Sequence, residues 1–495
     1  MSDIEIKTID SVHLKIFCEK DIAKELSQFF TFKVPNHKYH PAFRNKMWDG
    51  QIRLFNLHKR TLYVGLITYL LEFARDRNYT VKSDFKIQEK LTLEKTKEFV
   101  ENILKPTVGG EYIKPHEHQI DAINHAINHE RCLLLSATGS GKSLIIYALV
   151  RYYLNILPKD SKILIIVPTT NLVSQMFSDF ADYSSNSDWS VKKHCYKIFQ
   201  GAEKDTNKRV VISTWQSLYN QPGAYFSQYN VVFGDEAHLY KAKSLTGIME
   251  NLRTCPYRIG TTGTLDNSKT HKLVTEGLFG RVYKVASAKD LINKNILSNL
   301  HIDCITLRYN HEERNETKRM KYHDEIKWLT ESEKRNNFII NLSKSLKRNT
   351  LILFNYVESH GKPLYNAISE HNKDRSCYLI YGKTDVEMRE DIRKKFDKED
   401  DAILVASYGT CSTGINLKNV HNIIFASPSK SVIRVLQSIG RGLRKSDSKE
   451  GVKLYDISDD LRYKKYTNHT LKHFNERIKI YNNERFDFTR IDIGI

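Results

Sequence analysis

Long apolar runs are missing from this sequence, and none approaches the roughly 20 residues that a membrane-spanning helix requires. The opening MSDIEIKTID likewise lacks an apolar signal core. A membrane partner is therefore not expected, and a cytoplasmic location is. Cysteine is sparse: seven residues are scattered through 495 with no CxxC pair, which excludes a disulfide framework and reads as reduced thiols. His125 and His129 have the i, i+4 spacing of a metal pair, with His116 and His118 nearby. No Cys or acidic third ligand stands at a suggestive spacing, so they read as solvated helix histidines. Internal repeats and low-complexity tracts are absent too. Negative charge is the remaining shortage. Lys and Arg number 77 against 58 Asp and Glu, a net +19 that favours a polyanionic partner, because cations on phosphates release condensed counterions.

What is present is a chain too long for one core, with length for roughly three or four domains. From about Arg131 onward, short apolar runs alternate with helix-patterned segments. CLLLSA, KILIIVPT, RVVIST, YNVVFGDE and YRIGTTG form a first group, and NTLILFNY, DAILVASY, HNIIFASP and VKLYDI a second. Continuous rather than alternating hydrophobicity marks strands buried on both faces, as in parallel α/β sheets. The expected fold class is α/β: two parallel-sheet domains in tandem at 105–290 and 291–460, a small α+β domain at 1–104, and a helical segment at 461–495. A charged stretch at 308–348 reads as a helical connection between the two groups. Within the first domain, Lys33 to Arg60 sets seven cations against Asp49 alone and interleaves Tyr39, Phe43, Trp48 and Phe55. Two readings stand: an accessory nucleic-acid surface using Lys46, Trp48 and Arg53, or a small domain whose aromatics are simply its core.

The segment from Ser136 through Gly139, Ser140, Gly141, Lys142 and Ser143 lies between a buried strand and an apolar helix. That context suits a phosphate-binding loop: glycines let backbone N–H groups approach, and the helix N-terminus favours anions. Lys142 would reach the β- and γ-phosphates of ATP, and Ser143 would hold Mg²⁺. Further on, the strand VVFGDEAH ends in adjacent carboxylates. Asp235 is suited to the Mg²⁺ shell and Glu236 to orienting and deprotonating the attacking water.

In this order the motifs resemble those of superfamily 2 helicases, across about Lys114 to Ile457. The resemblance implies two RecA-like domains that each supply half of a nucleotide site. It implies further roles residue by residue. Gln119 stands where the family recognises adenine, although a helix-surface glutamine fits the sequence nearly as well. Pro168, Thr169, Leu172 and Gln175 resemble the PTxxLxxQ element along the nucleic-acid backbone, and Ser213 and Thr214 the next strand-contacting element. Thr262-Gly263-Thr264 departs from the usual Ser/Thr-Ala-Thr in its central glycine. Thr413 and Gly414 resemble the fifth motif. Gln437, Gly440, Arg441 and Arg444 match QxxGRxxR, whose arginines would reach the γ-phosphate. The spellings SATGSGKS, DEAH, RIGTTGT and QSIGRGLR, with the basic aromatic N-terminal region, are similar to a bacteriophage recombination and repair branch of the family. That likeness implies a monomeric DNA helicase on forks, Holliday junctions and R-loops, with RNA as a partner inside R-loops. The alternatives are a duplex translocase without strand separation, an RNA helicase of the DEAH kind, for whose accessory domains the short stretch after Arg444 leaves no room, and an ATP switch.

Overall fold

The computed structural model describes residues 2–35, 37–84, 90–199, 201–265, 269–414, 417, 419–427, 439–440, 443 and 451–495. Contacts divide the chain into two units, Met1–Ser136 with Gly141–Val285, and Ala137–Ser140 with Ala286–Ile495.

The first unit holds two large sheets, beside the two-stranded pairs Thr31–Lys33 with Gln51–Arg53 and Thr107–Val108 with Glu111–Tyr112. Its N-terminal sheet has four strands in the order Thr61–Tyr63, His13–Cys18, Ile4–Thr8, Val81–Ser83. The alternation of Ile4, Ile6, Leu14 and Ile16 turns one face onto the helices Lys20–Phe29 and Ile67–Asp76, which bury Leu26, Leu70 and Phe73. Leu273 and Val274, from the helix Lys269–Phe279, complete the same core. Polar contacts reinforce the join. The Tyr63 hydroxyl donates to Glu250 at 2.5 Å and the Tyr69 hydroxyl to Glu276 at 2.9 Å, while Arg281 pairs with Glu72 at 2.7 Å. The accessory domain and the first α/β domain thus share one apolar core.

That α/β domain is a seven-stranded sheet in the order Cys195–Ile198, Val210–Thr214, Lys162–Val167, Tyr229–Asp235, Tyr257–Thr262, Arg131–Ser136, Val282–Ala286. Its first six strands pair parallel. Lys162–Val167, Val210–Thr214 and Tyr229–Asp235 are almost wholly buried, as their unbroken Val/Ile runs require. The expected solvation of the paired histidines holds for His129, which is exposed, and is corrected for His125. His125 is half-buried, stacked between His129 and Tyr283 with both ring centroids at 3.9 Å. Burial, helped by His129, lowers its pKa to about 4.

The second unit carries another seven-stranded parallel sheet. Its order is Cys377–Ile380, Ile403–Ser407, Thr350–Phe354, Asn422–Phe425, Gly451–Asp460, Asn299–Arg308, Asp487–Gly494. The charged stretch near 308–348 is helical at His311–Glu316, Tyr322–Glu331 and Glu333–Ser345, and it buries Leu329, Ile339 and Ile340 in this unit's core. The C-terminal segment is helical over His469–Asn483 and then adds an edge strand, Asp487–Gly494.

Polar side chains are buried at the ends of the central strands. Arg335 Nε donates to Asp459 at 2.9 Å, and so does the Tyr309 hydroxyl at 2.9 Å. His360 Nδ1 lies 2.9 Å from the Ser427 hydroxyl, and the Tyr408 hydroxyl donates to the Ser427 carbonyl at 3.1 Å. Burial, with Arg335 as the second cause, pushes the His360 pKa down to about 3. The native imidazole stays neutral while the unfolded one takes up a proton below about pH 6.5. The contribution of His360 is therefore intact above about pH 6.5. It is lost at up to about 1.4 kcal/mol per pH unit on acidification toward its folded value. Urea denaturation at about pH 7.5 and about pH 5 should show a smaller acid loss in His360→Asn than in the unaltered protein. Equal losses would remove His360 as the cause.

Candidate functional site

The loop between Arg131–Ser136 and the helix Lys142–Ile156 turns on two left-handed glycines, Gly139 (φ 86°) and Gly141 (φ 84°). Gly141 also lets Gln119 approach closely: a Cβ there would meet its Nε2. Gln119 is buried, and its Oε1 accepts the His116 backbone N–H at 2.9 Å, which closes a capping box on the helix Glu117–His129. Gln119 is therefore packed against the loop and is not a helix-surface residue. Lys142 begins its helix, and its Nζ donates to the Ser136 carbonyl at 3.2 Å. Ser143 follows it, half-buried, and Ser140 is fully buried.

Asp235 ends the strand Tyr229–Asp235, whose neighbour is Tyr257–Thr262. The Thr261 hydroxyl donates to Asp235 Oδ1 at 2.8 Å. Desolvation raises the Asp235 pKa and the adjacent Glu236 carboxylate adds to this, while Lys142 and the Thr261 hydrogen bond oppose it. Two neighbouring carboxylates held this way gain from a divalent cation. A magnesium ion that takes one or two carboxylates, a hydroxyl and phosphate oxygens fits the donor set of Asp235 and Ser143. Among the described residues no cluster of three or more His, Cys, Asp and Glu forms a metal cage.

Glu236 sits in the left-handed region at φ 49°, ψ 51°, which residues other than glycine seldom occupy. Its Oε2 is 3.3 Å from Nδ1 of the buried His238. The same nitrogen is 3.0 Å from the Thr262 hydroxyl, which donates to the Thr264 carbonyl at 2.8 Å. The acidic strand end and the Thr262-Gly263-Thr264 element are thus joined through one imidazole. Sequence reasoning named both elements and missed the joint, as it missed Thr261. A threonine directly before that element was the available signal.

The expected strand-contacting residues gather at neighbouring strand ends. Val167 pairs with Thr214, which brings Pro168 and Thr169 beside Ser213 and Thr214. Thr169 caps the helix Thr170–Tyr183 by accepting the Leu172 N–H at 3.4 Å, and Gln175 lies half-buried on that helix. Ser213 and Thr214 are buried, with hydroxyls committed to the Thr214 carbonyl and to Ser217, so any DNA contact there falls to backbone atoms. Thr413 and Gly414 close the helix Tyr408–Gly414. Gln437, Arg441 and Arg444 lie outside the described residues, whereas Ile439 and Leu443 are buried in the second unit.

The basic aromatic segment divides. Phe55 is a core residue, as the structural reading expected. Phe43 and Trp48 are half-buried, and Tyr39 and Lys46 are exposed. Arg53 is engaged by Asp49, whose carboxyl it holds below the usual range.

Residues 3–84 match the family described as the N-terminal domain of DNA helicase UvsW. Residues 112–267 match that of the type III restriction enzyme res subunit, and 333–446 the helicase conserved C-terminal domain. The chain is 36% identical over 512 residues, covering 100% of both sequences, to the ATP-dependent DNA helicase uvsW of Enterobacteria phage T4. It resembles the crystal structure of T4 UvsW over 99% of each chain, with 34% identity and a TM-score of 0.53. A fragment of a putative HsdR subunit of a type I restriction enzyme from Vibrio vulnificus shares the fold (TM-score 0.57, 16% identity, 90% of this chain and 76% of that one). No helix among the described residues is long and apolar enough to cross a membrane.

Proposed function

The chain belongs to the UvsW family of superfamily 2 ATP-dependent DNA helicases, and from that premise we propose that its substrate is branched DNA: stalled forks, Holliday junctions and R-loops, in recombination, repair and replication. The supporting observation is the core shared by the accessory domain and the first motor domain. A DNA-contacting surface on such a domain keeps a constant offset from the strand track of its motor. That arrangement serves a substrate with more than one arm.

In this reading Lys142 and the backbone of Gly139, Ser140 and Gly141 hold the ATP phosphates, and Gln119 reads adenine. Ser143 and Asp235 would hold Mg²⁺, which supplies charge neutralisation at the transferring phosphoryl group. Glu236 orients the attacking water and accepts its proton. Gln437, Arg441 and Arg444 act from the second domain on the γ-phosphate. Pro168, Thr169, Gln175, Ser213, Thr214, Thr413 and Gly414 track the DNA backbone, with Lys46, Trp48 and Arg53 on the accessory surface. The protein works as a monomer in the host cytoplasm and meets RNA within R-loops. Duplex translocation without strand separation is the second reading, favoured by the restriction-subunit match at 112–267.

Unwinding of a four-way junction, a forked duplex, an R-loop and a blunt linear duplex separates the two readings. Rates on the branched set should exceed that on blunt duplex by about tenfold or more, a preference of about 1.4 kcal/mol. Movement along duplex without product strands would sink the first reading.

A further inference from the structure

Tyr39 and Met47 are 74% and 75% exposed, the highest values among the large hydrophobic side chains described as exposed. Both lie in one short knuckle, His37–Gly50, carried between the paired strands Thr31–Lys33 and Gln51–Arg53. Its surroundings are cationic. Lys38, Arg44 and Lys46 line a cavity of about 620 Å³ together with Phe43, Met47 and Trp48. The single acid of the segment, Asp49, is already paired with Arg53.

The knuckle is braced by its own side chains. The His37 ring meets Phe43 edge-on at 4.8 Å, and His40 meets Trp48 at 5.3 Å. Trp48 Nε1 donates to the Gln51 carbonyl at 2.8 Å, and the Val34 N–H donates to the Gly50 carbonyl at 2.8 Å. The Met47 and Trp48 N–H groups converge on the Ala42 carbonyl at 2.9 and 3.2 Å, with Lys46 left-handed at φ 55° just before them. Gly50, at φ 77°, has the His37 ring where a Cβ would stand. Thus Phe43 and Trp48 pack inward, and Met47 and Tyr39 are left outside on a preformed support.

Exposed apolar side chains cost solubility unless a partner covers them. A protein partner would suit Tyr39, Met47 and Arg44 but not Lys38 and Lys46, because lysine is depleted at the centre of protein interfaces. Nucleic acid fits both features, since phosphates take the cations and base faces take the apolar atoms. Base faces are covered in continuous duplex and open where strands part. Apolar side chains, methionine among them, are known to wedge between base steps and unstack them.

We propose that this knuckle reads the branch point. Met47 and Tyr39 rest on the base faces exposed where arms meet, and Lys38, Arg44 and Lys46 hold the flanking phosphates. The assignment rests on branched DNA being the substrate and adds the residues that discriminate it.

The test uses the full-length protein and compares affinity for a four-way junction with that for a covalently closed circular duplex, which has neither branch nor end. The variants are Tyr39→Ala/Met47→Ala and Lys38→Ala/Arg44→Ala/Lys46→Ala. The apolar pair should lose about tenfold to a hundredfold on the junction, the scale of one or two lost base stacks, with closed-circle affinity and salt dependence unchanged. The basic triple should weaken both substrates and flatten the salt dependence by about one unit of slope per cation. An unaltered junction-to-circle ratio in the apolar pair overturns the assignment while leaving the branched substrate standing. No junction preference in the unsubstituted protein overturns both.

Discussion

Arg444→Ala is expected to slow DNA-stimulated ATP hydrolysis by about 10³- to 10⁵-fold while leaving ATP affinity near that of the unaltered protein. The expectation comes from where charge develops. The γ-phosphate carries its negative charge in the bound nucleotide, but the charge is redistributed over its oxygens as the bond to the leaving group lengthens. A guanidinium placed for that redistribution stabilises the transition state more than the ground state, so its loss is felt in rate rather than binding. Arg441 and Arg444 stand three positions apart in the sequence QSIGRGLR, and in the proposed reading one would grip the bound phosphate while the other serves the reaction. Single-turnover hydrolysis with saturating ATP, alongside equilibrium binding of a fluorescent nucleotide, separates the two effects. Parallel loss of rate and affinity would make Arg444 a binding residue and return the finger role to Arg441. Lysine should rescue little, because a point charge lacks the planar fork that spans two phosphate oxygens.

The central strands of both motor sheets were legible because they are buried on both faces. KILIIV, VVIST and LILF are unbroken apolar runs, and such runs have few other destinations in a chain of this kind. The edge strands were not. Cys195–Ile198 and Cys377–Ile380 are only four residues long, and Asp487–Gly494 is largely exposed and interrupted by Asp, Thr and Arg, so their pattern merges with that of loops. Asn299–Arg308 escaped for another reason. Its His301 and Asp303 break the apolar run, yet they are answered by each other, by Thr489 and by Lys453 from neighbouring strands. Buried cations were equally hidden. Arg258 is fully buried inside the strand Tyr257–Thr262, where its guanidinium donates to the carbonyls of Met249, Leu252, Cys255 and Leu278. Arg477 pairs with Asp456 at 2.8 Å. A pairing between distant positions leaves no trace in local composition. The proposed catalytic positions stand out for the opposite reason: a glycine loop opening a helix and two carboxylates ending a strand are local patterns, complete within a few residues.

Glu236→Gln should cut hydrolysis by about 10²- to 10⁴-fold, the range that a positioned general base supplies, while preserving ATP binding and DNA affinity. Glutamine keeps the length and shape of the side chain, so the left-handed turn at 236 and the approach to His238 survive. What disappears is the ability to accept the proton of the attacking water. Removing the second negative charge also relieves Asp235, whose pKa is raised in part by its neighbour. Nucleotide should therefore bind at least as tightly as before. The protein would then dwell in its ATP-bound state on DNA, visible as slow release of a labelled junction when ATP is present and normal release when it is absent. Asp235→Asn makes the contrast, because it removes a ligand proposed for Mg²⁺ and should weaken nucleotide binding along with rate. If Glu236→Gln kept near-normal turnover, the base would have to be sought elsewhere and the role of Glu236 would shrink to shaping the turn. Its backbone argues against so small a part. A non-glycine residue in the left-handed region costs about 1–2 kcal/mol, and Glu236 occupies it at the junction of the strand Tyr229–Asp235 and the His238–Thr262 link. Strain kept at such a place would serve the aim of the carboxylate proposed as the base.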